Sequence, residues 1–410
     1  MRISEYIEEY LPQTIRYNKE DAGTLIGLPY PYIVPCASGT FQEMYYWDTY
    51  FTHKGLLIRG DLKQVRNDID DMCYLIGKYG FVPNGNRLHF LYDSQPPFLS
   101  MMMRDYYDET KDKTWLLGAY EALKKEYAFW ERNRKSPIGL YHYDCQPMPE
   151  EMVRSAAQEF RKRTGLYGEE PDKVAARAMI SAGESGWDMN PRMGGATYQF
   201  APADLNGLLY AMIDNLSYFA GELGDAKEAG AWALRREEHA RLCRKYLKNQ
   251  KGLFMDYNFI EKKQTSIFSA ASFYPLYCGM ADKAEAQAAR EALPCLETAH
   301  GVLTCERNDA AGNYQWDYPN GWAPMQLMVI GGLLRYGYKE DALRIAGKFK
   351  STVERCYETT GHLWEKYNIV EGTVNVQNEY EMPAMLGWTF GVYEWVTELL
   401  KEQKNEENAL

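Results

Sequence analysis

Apolar residues recur at helical spacing along most of this 410-residue chain. Leu62, Val65, Ile69, Met72, Cys73 and Ile76 fall on one face of a segment that Gly80 should close, because glycine readily enters the left-handed conformation that ends a helix. Leu116, Tyr120, Leu123, Tyr127 and Trp130 form a second stripe. Leu205, Leu208, Leu209, Met212, Leu216 and Phe219 form a third, with Gly224 as its stop. Residues 226–248, 282–293, 322–336, 339–356 and 384–403 are predicted helices as well, and 1–30 reads as a short helix and then an extended arm with turns. Gly139–Asp144 and Gly252–Tyr257 alternate like small hairpin strands, yet no regular βα order appears. The pattern is all-α, with roughly a dozen helices.

The connections are of two kinds. Some are short and polar; others are long and carry Gly, Trp, Asp and Gln. A ring of helical hairpins produces that asymmetry, with the long loops gathered at one mouth. No linker or low-complexity run divides the chain, so 1–410 is expected to be one domain, with a frayed tail at 401–410. Among the long loops are Val34–Phe51, Val82–Arg87, Asp93–Pro97 and Ser181–Arg192. The pairs Trp47-Asp48, Trp187-Asp188 and Trp316-Asp317 recur in such segments, as if one pocket drew on several connections. A glycine such as Gly183 or Gly186 lets backbone approach a ligand; Trp gives a flat apolar wall and Asp a proton site.

Composition narrows the function only a little. Aromatic residues make up 14%, with 33 Tyr and 10 Trp, side chains that suit sugar surfaces but also fill helical cores. A net charge of −11 argues against nucleic acid as a partner. The polar, acidic N-terminus has no signal-peptide core, and no apolar run is long enough to span a membrane. Eight cysteines stand singly, without a Cys-x-x-Cys pair, so neither disulfides nor a metal site is expected and the setting reads as reducing and cytoplasmic.

Six ordered motifs resemble those of one family. Phe41-Gln-Glu-Met-Tyr-Tyr-Trp-Asp-Thr-Tyr-Phe51 is similar to the first signature of the trehalases, glycoside hydrolase family 37, and Tyr314–Pro324 to their second. Pro83–Arg87, Ser94–Phe98, Ser185–Asp188 and Trp364–Tyr367 match in family order. The resemblance implies an (α/α)6 barrel and inverting glycoside hydrolysis without a cofactor, on a small carbohydrate. That chemistry needs two carboxyl groups flanking the scissile bond, with room for water. By motif, Asp188 is similar to the family's general acid and Glu365 to its general base. Asp188 is then expected in an apolar or negatively charged setting that keeps its proton, with Trp187 desolvating it. Read from its own neighbourhood, Glu365 is instead a surface acid paired with Lys366.

The resemblance also carries sugar contacts onto Phe41, Trp47, Asp48, Asn84, Ser94, Gln95, Glu150, Gly186 and Glu379, while Trp47 and Trp316 are candidates to stack on a sugar face. Glu381 competes with Glu379, and loop bracing is the plain alternative for the rest. Three family arginines are replaced, by Thr40, Asp93 and Met148. Each lost guanidinium removes a fixed fork of donors, with charge-assisted bonds of roughly 1.5–3 kcal/mol. Asp93 reverses the expected local charge. The reading is a trehalase-like inverting α-glycosidase with an altered leaving-group site. A genuine α,α-trehalase, a barrel-type sugar isomerase or epimerase and a non-catalytic sugar-binding protein are the alternatives. Six unclustered histidines disfavour the isomerase.

Overall fold

A computed structural model describes residues 1–376, 378, 380–384 and 387–408. The described helices are α1 (Ile3–Tyr10), α2 (Tyr46–Ile58), α3 (Leu62–Tyr79), α4 (Leu99–Thr110), α5 (Lys113–Asn133), α6 (Glu150–Thr164) and α7 (Asp172–Glu184). They continue as α8 (Ala203–Glu222), α9 (Ala226–Tyr246), α10 (Tyr274–Tyr277), α11 (Lys283–Ala292), α12 (Ala323–Arg335), α13 (Lys339–Thr360) and α14 (Gly387–Asn408).

The arrangement is an (α/α)6 barrel. Helices α2, α4, α8, α10, α12 and α14 touch in succession, and α14 closes the ring on α2. Closure needs near contact of the two backbones. A Cβ on Gly391 would lie 1.9 Å from the carbonyl oxygen of Phe51, and one on Gly55 would lie 2.6 Å from the Phe390 ring. Helices α3, α5, α9 and α13 pack outside this ring. Their apolar stripes face inward and their polar faces meet solvent, the amphipathic pattern visible in the sequence. Aspartates cap several outer helices: Asp61, Asp112, Asp225 and Asp282 each accept a backbone N–H from the first turn. Gly80 closes α3 at φ 85°.

The predicted helices correspond closely to α3, α5, α8, α9, α11, α12 and α13. The segment Val34–Phe51 differs: its second half is not loop but the start of α2, so Trp47 and Asp48 sit in a first helical turn. Nearly every side chain of α2 is buried, which erases the polar face that marks a helix in sequence. The two predicted hairpins shrink to isolated bridges, Lys135 with Tyr141 and Lys248 with Phe254, and to a short strand at Tyr257–Asn258. At the C-terminal end α14 runs to Asn408, and Lys339 pairs with Glu406 at 2.6 Å.

Helices α6 and α7 form a hairpin beside the barrel with a small core of their own, built on Ala156, Ala157, Phe160, Ala175, Ala178 and Ala182. At the same mouth, the short strands Asn320–Trp322 and Lys366–Asn368 pair antiparallel, with Trp322 opposite Lys366. Among the described residues no helix is long and apolar enough to cross a membrane.

Candidate active site

At the loop-rich mouth lies a cavity of about 280 Å³, in the range of small-molecule sites. Glu365 enters it from the residue just before the second short strand. Its side chain is 1% exposed, and both oxygens are held: Oε2 by Lys366 Nζ at 2.6 Å and Oε1 by the Tyr380 hydroxyl at 2.6 Å. The Trp388 indole N–H donates to the Glu365 carbonyl at 2.9 Å. Lys366 donates onward to Gln315 at 3.1 Å and lies 4.7 Å above the Trp322 ring. The pairing with Lys366 is the one its neighbourhood suggested; the surface position is not, since both side chains are buried.

Asp188 enters from a different element, the turn after α7. It holds φ 35°, a left-handed conformation that carries strain in a residue other than glycine. Its side chain is 30% exposed and accepts from Arg163 Nη2 of α6 at 2.9 Å. The expected apolar or negative surround is therefore replaced by a guanidinium. Trp187, expected beside it, is fully buried behind the cavity, 4.2 Å below the Arg192 guanidinium and 5.8 Å from the Trp316 ring, and does not line it.

Phe41, Trp47, Asp48, Asn84, Gln95, Gly186 and Trp316 all line this cavity with the two carboxylates. Trp316 stacks on Trp322 at 3.7 Å and 3°, and Trp47 lies 5.5 Å from Trp316, so the aromatic wall is itself braced. A Cβ on Gly186 (φ 72°) would come within 2.7 Å of the Trp47 ring, which explains glycine there. Gln95 accepts from the Trp47 backbone N–H at 3.1 Å and lines the cavity. Burial, and next the Glu365 carboxylate, push the Asp48 carboxyl up to about 8, so Asp48 faces the cavity as a proton-bearing donor near neutral pH.

Other expected contacts lie elsewhere. Ser94 is buried behind the wall, its hydroxyl donating to the Val82 carbonyl (2.6 Å) and its backbone N–H to Glu184 (2.8 Å). That Glu184 carboxylate is gripped by both arms of Arg134, at 2.7 and 2.8 Å, a buried bidentate pair. Glu150 points to solvent at the start of α6, 3.7 Å from Arg154, and does not line the cavity. Glu379 lies outside the described residues. Glu381 is exposed.

The three positions at which the resemblance implies an arginine lie in different settings. Thr40 is exposed, and Met148 packs against the α6–α7 core. Asp93 does line the cavity, but burial and the nearby Glu184 hold its proton far above the usual carboxylate range. Asn84 Nδ2 donates to it at 2.8 Å, which partly offsets that rise. Arg163, which no motif marks, is the single Lys or Arg among the described lining residues. Nothing in its local sequence, Phe160-Arg-Lys-Arg163, distinguishes it from a solvated basic run. Tyr380 also escapes the motifs, although it stands between the competing Glu379 and Glu381. Only His89 of the histidines reaches the cavity, at its rim.

Comparison with known proteins bears on the family and the fold. The sequence profile of the family described as Trehalase matches residues 2–401. The periplasmic trehalase of Escherichia coli O1:K1 / APEC is 32% identical over 424 residues, spanning 95% of this chain and 73% of that protein. The periplasmic trehalase of Shigella flexneri serotype 5b (strain 8401) gives the same identity and coverage. Among solved structures, neutral trehalase Nth1 from Saccharomyces cerevisiae superposes with a TM-score of 0.76 at 27% identity, over 90% of this chain and 73% of that one. A mannosylglycerate hydrolase from Thermus thermophilus shares the fold, with a TM-score of 0.61 at 15% identity, over 89% of this chain and 96% of that one.

Proposed function

The chain belongs to the trehalase family and is a trehalase-like glycoside hydrolase; we propose that it cleaves a small α-glucoside with inversion, using Asp188 as general acid and Glu365 as general base. The observation that carries this reading is the convergence of both carboxylates, from two separate elements, on one cavity that also holds Asp48. Glu365, clamped between Lys366 and Tyr380, suits a fixed acceptor that orients one water and takes its proton. Asp188 gives its proton to the departing oxygen as the bond breaks. Trp47 and Trp316 offer an apolar face to a sugar ring, while Asp48 and Gln95 supply donors to its hydroxyls. The initial product tests the stereochemistry. An α-glucoside should release β-glucose first in proton NMR, because water attacks opposite the leaving oxygen; α-glucose first would exclude inversion.

Trehalose is proposed to be a poor substrate, since neither Thr40 nor Met148 lines the cavity and Asp93 there is no cation. The check is kcat/KM for trehalose beside other α-linked disaccharides and α-glucosides; trehalose far ahead of all others would overturn this part. We also propose that the chain works as one domain in a reducing, cytoplasmic compartment. Its eight free cysteines support that setting, and equal activity with and without reductant is the expected result.

A further inference from the structure

We infer that the leaving-group half of the cavity is built for an apolar aglycone, an alkyl or aryl group, and not for a second hexose. The inference rests on the assignment of Asp188 as the acid.

The acid defines which half this is. A general acid protonates the departing oxygen, so the leaving group lies on the side of Asp188. That side is the α6–α7 hairpin: α7 runs directly into the turn that carries Asp188, and Arg163 of α6 holds its carboxylate at 2.9 Å. The residue assigned as base comes from another element, directly before the strand Lys366–Asn368 of the barrel mouth.

The hairpin presents Met152 from α6 and Met179 and Ile180 from α7 to the cavity, and Phe90 joins them from the short helix Leu88–Phe90. Met179 and Ile180 also pack on the hairpin's own core, so this wall is fixed from behind. Of the polar groups beside it, Asn84 and Arg163 already have partners. Asn84 donates to Asp93 at 2.8 Å and to the Gly183 carbonyl at 3.3 Å. Arg163 is on Asp188. A hexose placed against these residues would bury several hydroxyls facing thioether and methyl groups, and each unmet hydroxyl is costly. An apolar aglycone meets the same wall with gain alone, since every buried methylene improves binding roughly fourfold.

An alkyl series separates this from leaving-group reactivity, because methyl, butyl and octyl α-glucosides release alcohols of similar acidity. In the native enzyme kcat/KM should rise at least about tenfold from methyl to butyl, chiefly through KM, and should exceed the value for trehalose and maltose. Met179→Gln with Ile180→Asn should flatten the series. A flat series in the native enzyme with a disaccharide ahead would overturn the inference while leaving the glycosidase reading intact. Hydrolysis of none of these α-glucosides or disaccharides would overturn that reading, and the inference with it.

Discussion

The two carboxylates face one cavity from scaffolds of opposite character. Glu365 is built into the barrel mouth: its side chain is 1% exposed, both oxygens are bonded, and tryptophans pack beneath its lysine partner. Asp188 stands on a hairpin with a separate small core, 30% exposed, in a left-handed backbone conformation, with a guanidinium as its partner. A base that orients water gains from being immobile, because the cost of ordering is met on folding. An acid must hold a proton and then lose it to a leaving group, so its partner has to exchange. On the proposed assignment, Asp188 with its exchangeable guanidinium partner takes the second task.

The largest expected effect of breaking this contrast is loss of either carboxylate. Asp188→Asn and Glu365→Gln should each lower turnover on an α-glucoside by about two to four orders of magnitude, with the fold retained by circular dichroism. Near-native turnover in Glu365→Gln would move the base to another acid.

The support behind the acid can be removed next. Arg134→Met leaves Glu184 buried without its cation, which should cost about 3–5 kcal/mol in urea unfolding. A change below ~1 kcal/mol would show that Glu184 takes a proton at little cost.

Gly186→Ala drives a Cβ into Trp47 at a positive φ and should destabilise by about 1–3 kcal/mol, with a fall in kcat/KM as the aromatic wall shifts. An unaltered kcat/KM would mean that Trp47 does not shape the sugar site.

The smallest effect sits between the two carboxylates. Asp48 keeps its proton in the fold up to about pH 8 but loses it near pH 4 when unfolded. Between those values the folded state binds the extra proton, so stability falls as pH rises. Asp48→Asn should reduce that slope by at most about 1.4 kcal/mol per pH unit, read from unfolding at pH 5, 6 and 7. An identical slope would place the Asp48 carboxyl in its ordinary range.

The sequence is legible where one physical cause acts alone. Outer helices such as α3 and α5 show a stripe because one face is wet, and Gly80 ends α3 because of its own backbone freedom. The start of helix α2 reads as loop because Tyr46 to Phe51 are buried on every side, leaving no period to detect. The α6–α7 hairpin is hidden for the reverse reason: α6 is largely polar, and its small core rests on alanines. Within the site, the motifs place Asp188, Glu365, Trp47, Asp48 and Gln95 together. They do not reveal Arg163, whose role comes from the way α6 folds over the mouth, or that Glu150 faces solvent while Ser94 braces from behind. Asp93 reads as an ordinary charge in the sequence, whereas burial beside Glu184 pushes its carboxyl well above the usual range.

The most direct test of the division of labour uses a leaving group that needs no proton. On α-glucosyl fluoride, Asp188→Asn should recover turnover to within about tenfold of the native enzyme, while Glu365→Gln should stay at least about two orders of magnitude below it. Equal loss in both variants on the fluoride would contradict the assignment of Asp188 as the acid and Glu365 as the base.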